Sequence, residues 1–174
     1  MQFDEPLYRE EMHRLLRAAR GALAAERPAL RLYTVAIWTD PAARVSAVSV
    51  DTREHSDVRV AALAAWAREQ HPRIVAAGLP EAAEAALRVP IRNINPADFA
   101  LHNVVELRHR AFGPAAGFEN PDAVWKELEP ALVRVALAAL ELFADLPLED
   151  GAELGVSTPS DWYGRTWALR ATAT

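Results

Sequence analysis

Four potential metal ligands recur at regular intervals in the middle of the chain. Asp98, His102, Glu106 and His109 are separated by four, four and three residues. On an α-helix their side chains fall within a band of about 80°, because each residue advances by roughly 100°. Two imidazoles and two carboxylates on one stripe are ligand types that bind divalent metals in carboxylate-bridged helical bundles. One hypothesis is therefore a metal-dependent hydrolase that uses a helix predicted over residues 95–112.

The other side of that predicted helix argues for a simpler interpretation. It is apolar, with Ala100, Leu101, Val104, Val105, Leu107, Ala111 and Phe112. If this side packs on the core, the stripe faces water as an ordinary polar surface. A bundle metal site also needs matching ligands on a facing helix, and no second Glu-x-x-His unit occurs in the chain. We favour the solvated surface.

A second candidate group lies near the C-terminal end of the sequence. Trp162, Tyr163, Arg165 and Trp167 occur within six positions. Trp, Tyr and Arg are typical of binding hot spots, so the group is a candidate platform for a base, a sugar or a partner's side chain. Aromatic residues are also common strand formers that pack on helices, and we favour this packing role.

The remaining histidines show no local partner that would make them catalytic. His13 and His71 stand alone, and either is most simply a surface residue. His55 follows Asp51 and Thr52, where a nucleophile would need a base held by a third group. We interpret this segment as a polar connection that caps the next helix.

Common catalytic motifs and cofactor motifs are missing from the sequence. It contains no Walker loop, no Gly-x-Gly-x-x-Gly, no Gly-x-Ser-x-Gly and no His-Glu-x-x-His. There is no cysteine, which excludes disulfides, thiolate nucleophiles and cysteine-ligated metals. We predict no cofactor.

Composition and charge narrow the class of protein. The 174 residues are 51% hydrophobic and 25% charged, which fits a single globular domain over residues 1–174. The formal net charge of -5 argues against nucleic-acid binding, which needs a clustered basic face. No apolar run reaches the roughly 18 residues of a membrane span, and the first residues lack a signal-peptide pattern. We therefore expect no membrane association and a cytoplasmic location.

The hydrophobic pattern predicts an α+β fold. Alternating or continuous apolar runs predict strands near 33–38 and 46–51, joined by an Asp40-Pro41 turn, and a second strand pair within 153–172. Caps, prolines and apolar periodicity predict helices over 4–26, 56–70, 81–88, 95–112 and 121–145, the last kinked or divided at Pro130. We expect the early and C-terminal hairpins to join in one antiparallel sheet of about four or more strands. Four to five helices would pack on one face of it.

Several of these segments resemble a bacterial family of uncharacterised proteins, the DUF4303 family. The resemblance rests on a strand of the form Y-x-x-A-x-x-T-D and on the end of the next strand, with Tyr33, Ala36, Thr39, Asp40 and Thr52 as matching positions. Asp51 stands where the family pattern has Asn. The order of elements is also similar. Because some small acidic families of this kind occur beside bacterial toxin genes, the resemblance implies at most a binding module. It carries over no catalytic residues to this chain.

The sequence thus favours a small non-catalytic protein that binds another protein, as an immunity-type or accessory factor. A metal-dependent hydrolase and a small-ligand-binding domain are the alternatives. A homodimer is compatible with the sequence.

Overall fold

The computed structural model describes residues 3–113 and 121–170. The elements are, in chain order, α1 (Glu5–Glu26), β1 (Leu32–Asp40), β2 (Val45–Asp51), α2 (Arg53–Ala76), α3 (Pro80–Ala86), β3 (Leu101–Arg108), α4 (Pro121–Phe143), β4 (Leu148–Val156) and β5 (Arg165–Ala168). A short 3-10 turn over Pro96–Asp98 precedes β3. None of the helices in the described ranges is both long enough and apolar enough to span a membrane.

The five strands form one mixed sheet in the order β3-β2-β1-β4-β5. The predicted α+β fold is confirmed, and the early hairpin and the C-terminal hairpin do join in one sheet. They meet through β1 and β4, which run parallel, whereas the other three strand pairs are antiparallel. The prediction of a purely antiparallel sheet is therefore wrong for the β1–β4 pair. The long α4 returns the chain across the sheet and lets β4 start at the same end as β1.

The predicted helix over residues 95–112 is wrong, because Leu101–Arg108 forms the edge strand β3 and the only helical residues of the segment are the short 3-10 turn Pro96–Asp98. A short apolar run of this kind does not by itself distinguish a helix from a strand. Pairing with β2 decides between them, with Ala47 opposite Glu106 and Val48 opposite Val105. The register shifts once near the start of β3, where Asn103 has a φ of 47°. Asn tolerates this left-handed conformation better than most residues.

Two helices close one face of the sheet. Asp4 caps α1 by accepting a 2.9 Å hydrogen bond from the Leu7 amide, and Pro6 lies in its first turn. The apolar side of α1 packs with α4 on the sheet. Pro130 does not divide α4, which is one helix in the structure. We call this covered side the α1 face; the strands contribute Val35, Ile37, Val48, Val50, Leu154 and Val156 to its core.

The opposite side of the sheet, here called the open face, has a thinner cover. Strand pairing places Thr34, Ala36 and Trp38 of β1 beside Asp51, Ser49 and Ala47 of β2 on this side. The segment 88–100 and the β4–β5 turn lie over part of it. As a result β2 is buried on both sides from Ser46 to Asp51, although its alternating sequence is typical of a half-buried strand.

Helices α2 and α3 pack on each other more than on the sheet. Of the 24 residues of α2, only Ser56 and Ala67 are buried. The predicted end of this helix near residue 70, just before His71-Pro72, is wrong, since α2 continues to Ala76 with Pro72 inside it. We call residues 53–94, which include α2 and α3, the arm.

Candidate functional site

The clearest cavity on the open face is a groove between two tryptophans. It has a volume of about 270 Å³ and is lined by Trp38, Asn95, Pro96, Ala97, His102 and Trp162. The ring centroids of Trp38 and Trp162 lie 5.5 Å apart, and the ring planes meet at 82°. The two rings therefore form adjacent, nearly perpendicular walls. We call this cavity the tryptophan groove.

The turn between β4 and β5 holds Trp162 in place. The Thr158 amide donates to the Asp161 carbonyl over 2.7 Å, and the Tyr163 amide donates to the Asp161 carboxylate over 3.0 Å. The Gly164 amide closes the turn on the Val156 carbonyl. Trp162 stays 49% exposed. The turn thus fixes a large aromatic ring where a ligand can reach it.

Tyr163, the residue after Trp162, is buried and helps to hold this turn on the open face. Its ring lies against Gly155, where any Cβ would overlap it, and 6.4 Å from the Phe99 ring. Its hydroxyl donates to Glu153 over 3.0 Å, and burial raises the pKa of the phenol. The absence of a side chain at Gly155 gives Tyr163 its place on the open face.

A hydrogen-bond network around Asp51 anchors the opposite wall of the groove. The buried Asp51 carboxylate accepts from the Asn93 amide group over 3.1 Å and from the Ala100 backbone amide over 3.0 Å. His55 Nδ1 lies 2.7 Å from the same carboxylate. The backbone amide of Asn93 also donates to Ser56. These bonds tie segment 93–100, which carries Asn95, Pro96 and Ala97, to β2 and the start of α2.

The predicted cap at the start of α2 is confirmed. The His55 amide donates to Thr52 Oγ1 over 3.2 Å, so the threonine hydroxyl is used in capping. His55 and Asp51 do form a pair. The Thr52 hydroxyl, however, points to the first turn of α2, which it caps.

A second cavity lies on another side of Trp162. It has a volume of about 310 Å³, and its walls include Asp40, Trp125, Asp161 and Trp162. Asp40 accepts from the Ala42 and Ala43 amides, which is the turn role predicted for it. Among the described residues, no lysine or arginine lines this cavity or the tryptophan groove.

The structure divides the predicted aromatic group between the two faces of the sheet. Trp162 and Tyr163 lie on the open face, as described above. In β5, Arg165 and Trp167 pair with Val156 and Leu154 and so point to the α1 face. Trp167 packs on the main core, and Arg165 lies 3.6 Å from Glu129 of α4 and over the Trp167 ring. The four residues do not make one platform.

The four predicted metal ligands are also in separate surroundings. Asp98 pairs with Arg59 over 2.7 Å, and Glu106 accepts from Asn103 over 3.0 Å. His102 lines the tryptophan groove, whereas His109 is buried beneath α1. Because these four residues do not lie on one helix, their side chains do not form the predicted band of about 80°. Within residues 3–113 and 121–170, no three His, Asp or Glu residues are placed to hold a metal ion.

His109 belongs to a buried chain of hydrogen bonds that the sequence did not reveal. Its Nδ1 lies 2.9 Å from Glu11 and its Nε2 lies 2.7 Å from Ser46 Oγ. Ser46 contacts Thr39 over 2.6 Å, and Thr39 contacts the Tyr8 hydroxyl over 2.8 Å. We call this chain the α1-face network. The residues come from α1, β1, β2 and the end of β3, so no local spacing could have identified it.

The protonation states of the α1-face network follow from burial and pairing. Burial lowers the pKa of His109, although the Glu11 carboxylate opposes this. Burial also raises the pKa of Glu11, but hydrogen bonds from His109 and the Arg110 amide outweigh it and hold that pKa below its usual value. A neutral His109 then donates a hydrogen bond from Nδ1 to Glu11 and accepts one at Nε2 from the Ser46 hydroxyl. The order Ser–His–Glu matches a hydrolase triad, but Ser46 is fully buried and no substrate reaches it.

The groove residues that were not predicted from the sequence are Trp38, Asn95, Pro96 and Ala97. Strand alternation does place Trp38 beside the small Ala36 on one side of β1, which leaves room next to a large ring. The contact with Trp162 depends on the parallel pairing of β1 with β4 and was not visible locally.

Comparisons with known proteins give no assignment for this chain. A scan of protein-family models, a search of curated proteins and a search of solved structures find no significant match. The resemblance to the DUF4303 family therefore stays a prediction.

Proposed function

We propose that this chain is a non-catalytic protein-binding module that contacts its partner through α2. The observation that carries the proposal is the concentration of exposed apolar side chains on the arm. Among the residues that the structure describes, eight of the ten exposed large apolar residues lie there: Val58, Leu63, Trp66, Val75, Leu79, Leu87, Ile91 and Ile94. Exposed apolar side chains that are concentrated in one part of a protein surface often mark a site where another protein binds.

One side of α2 has the composition of a recognition surface. Arg59, Leu63, Trp66, Gln70 and Arg73 follow one another at intervals of four, three, four and three residues. This spacing places them on one side of the helix, within a band of about 80°. We call these five residues the α2 stripe. Leu63 is 43% and Trp66 54% exposed.

The types of residue in the α2 stripe suit a protein partner. Trp and Arg dominate interface hot spots, and here a central Leu63–Trp66 pair lies between two arginines. Helices with such anchors bind in apolar grooves of other proteins.

Charge favours a different protein over a second copy of this chain. In a two-fold symmetric contact centred on Trp66, antiparallel helices would bring Arg59 next to Arg73 of the other copy. Parallel helices would bring each arginine next to itself. The arm holds six arginines and five acids, whereas the whole chain has a net charge of -5. We therefore infer a partner whose apolar groove is bordered by carboxylates, which pair with Arg73 and compete with Asp98 for Arg59.

This mode of action is that of immunity-type proteins and accessory factors, which work by occupying a partner. It agrees with the absence of catalytic motifs in the sequence and with the class that the DUF4303 resemblance implies. The buried Ser46 also favours a non-catalytic role.

The test compares proteins retained from a lysate of the encoding organism by the wild-type chain and by a Leu63→Ser, Trp66→Ser double variant. We expect one protein to be retained at least tenfold more by the wild type. That protein, once purified, should bind the wild type directly and should lose about 30-fold or more in affinity with Trp66→Ser. Arg59→Ala and Arg73→Ala should weaken binding and reduce its salt dependence.

Leu137→Ser is the matched control, because Leu137 is 50% exposed on α4, away from the arm. It should bind the partner like the wild type. All variants should unfold within about 0.5 kcal/mol of the wild type, as surface substitutions do. The proposal is wrong if no protein distinguishes the wild type from the double variant. It is also wrong if the double variant changes only self-association.

A further inference from the structure

We propose that the tryptophan groove binds a methylated ammonium group, such as that of choline or of a trimethylated lysine. This site is separate from the α2 stripe, and its test does not depend on the protein partner proposed above. The inference rests on the geometry of the two tryptophans, the shape of the cavity and the charges around it.

The rings of Trp38 and Trp162 have the arrangement that a methylated cation needs. Their planes meet at 82° with centroids 5.5 Å apart, so one group can contact both rings. The face of an indole ring attracts cations more strongly than any other natural side-chain ring. Perpendicular aromatic walls are how proteins surround quaternary ammonium groups, which carry charge but donate no hydrogen bond.

The remaining walls suit methyl groups. Pro96 and Ala97 are apolar, and the Asn95 side chain is already occupied, since its oxygen accepts from the Ala97 amide and its nitrogen donates to Asp98. His102 completes the lining. The cavity of about 270 Å³ accepts a trimethylammonium group.

The local charge distribution is negative. Asp161 precedes Trp162 and lines the cavity next to it, together with Asp40, which lies two residues from Trp38. Glu106 is on the same side of the sheet, two strands away from Trp38 through Ala47, or about 10 Å. No described lysine or arginine lines either cavity. A cation is thus attracted by the carboxylates and meets no fixed basic side chain in the groove.

The binding test uses choline and its neutral isostere 3,3-dimethylbutan-1-ol, which has the same shape without the charge. Titration of the ¹⁵N-labelled full chain is followed by the indole N–H signals of Trp38 and Trp162. We expect saturable shifts with choline and at least tenfold weaker binding of the isostere, which corresponds to the strength of a desolvated cation–π contact. Equal binding of the two, or no saturable shift with choline, would overturn the proposal.

Variants locate the site. Trp162→Ala should weaken choline binding at least tenfold, and Trp162→Phe should restore part of it because the phenyl ring keeps an aromatic face. Leu137→Ala is the control, since Leu137 is 50% exposed, about as much as Trp162, but lies on α4; it should bind choline within twofold of the wild type. If Leu137→Ala weakens binding as much as Trp162→Ala does, the groove is not the site. Asp161→Asn should weaken binding by a smaller factor.

The source of the ammonium group is decided by a second titration. A short blocked peptide with trimethyllysine is compared with choline and with the same peptide carrying unmodified lysine. Stronger binding of the trimethyllysine peptide identifies a modified protein side chain as the source, and stronger binding of choline identifies a small molecule. If the peptide with unmodified lysine binds as tightly as the trimethyllysine peptide, the groove attracts any positive charge and does not recognise the methyl groups. The proposal then fails.

Discussion

The two faces of the sheet bury polar groups for different purposes. On the α1 face, Glu11, His109 and Ser46 are sealed beneath a long helix. On the open face, Asp51 is equally buried, but its partner His55 is 36% exposed and the cover is a loop. Every buried side-chain polar atom among the described residues has a hydrogen-bond partner. The α1 face thus uses polar groups to fix a helix, and the open face uses them to hold a loop beside a cavity.

This difference predicts where substitutions affect the whole fold and where they affect one wall of the tryptophan groove. Removing one hydrogen-bonding side chain beneath α1 leaves several buried donors without a partner, and water cannot reach them. Removing one on the open face lets water enter beneath the loop and replace part of the lost hydrogen bonds. Four measurements test this distinction, in order of decreasing effect.

Glu11→Ala should have the largest effect. The substitution leaves the His109 ring and the Arg110 amide without their carboxylate in a dry site. Removing one partner of a buried pair costs about 3 to 5 kcal/mol, which urea unfolding would measure. Glu10→Ala is the control, because Glu10 is exposed on the same helix and should change stability by less than about 0.5 kcal/mol. Equal effects of the two substitutions would show that the α1-face network contributes nothing.

Asp51→Ala should cost less, about 2 to 3 kcal/mol, because His55 and the loop can reach water. Hydrogen exchange should accelerate mainly at residues 93–100, which Asp51 holds through Asn93 and Ala100. Asp57→Ala, at an exposed position of α2, serves as the control. If Asp51→Ala instead accelerates exchange in α1 and α4 to the same extent, the two faces are not independent.

Gly155→Ala should cost about 1 to 3 kcal/mol, because the new methyl group overlaps the Tyr163 ring and must displace it. The displaced ring should also shift the Trp162 indole signal in NMR spectra. Gly21→Ala is a control with the opposite sign. No atom lies near the added methyl group in α1, and alanine in a helix is favoured by about 0.5 to 1 kcal/mol. Unchanged stability of Gly155→Ala would mean that Tyr163 is not held as tightly as the structure indicates.

The pH dependence should be the smallest effect. Burial lowers the pKa of His109 in the folded state, so the unfolded chain takes up a proton first as the pH falls below about 6.5. Stability is therefore complete above this pH and decreases by at most about 1.4 kcal/mol per pH unit below it. The lowered pKa of Glu11 adds a further loss below about pH 4.5.

Urea unfolding between pH 8 and pH 5 measures this slope. His109→Gln should remove most of it, whereas His13→Gln should leave it unchanged. A slope of opposite sign would mean that His109 is charged in the folded protein.

Much of the fold was predictable because its signals are local. Asp4 and Pro6 mark the start of α1, and the Asp40-Pro41 turn marks the first hairpin. The segment over 95–112 was not predictable in this way. Its short apolar run does not by itself distinguish a helix from a strand, and the free edge of β2 selects the strand. Pro72 does not end α2 either. A proline inside a helix lacks one backbone hydrogen bond to the preceding turn, and the turns that follow keep theirs.

The candidate site was predictable only in part. Trp162 was identified from its residue type, but its partner Trp38 was predicted only as part of the strand near 33–38. Arg165 and Trp167 were grouped with it, although strand alternation in β5 directs them to the other face.

The sequence by itself determined the α+β class, the first helix, the early hairpin and the absence of common catalytic motifs, because these depend on neighbouring residues. Only the tertiary structure decided which distant side chains meet. The parallel pairing of β1 with β4 brings Trp38 to Trp162, and the packing of α1 on the sheet brings Glu11 to His109. Such contacts depend on strand order and register, which the whole chain sets by burying its apolar surface at once.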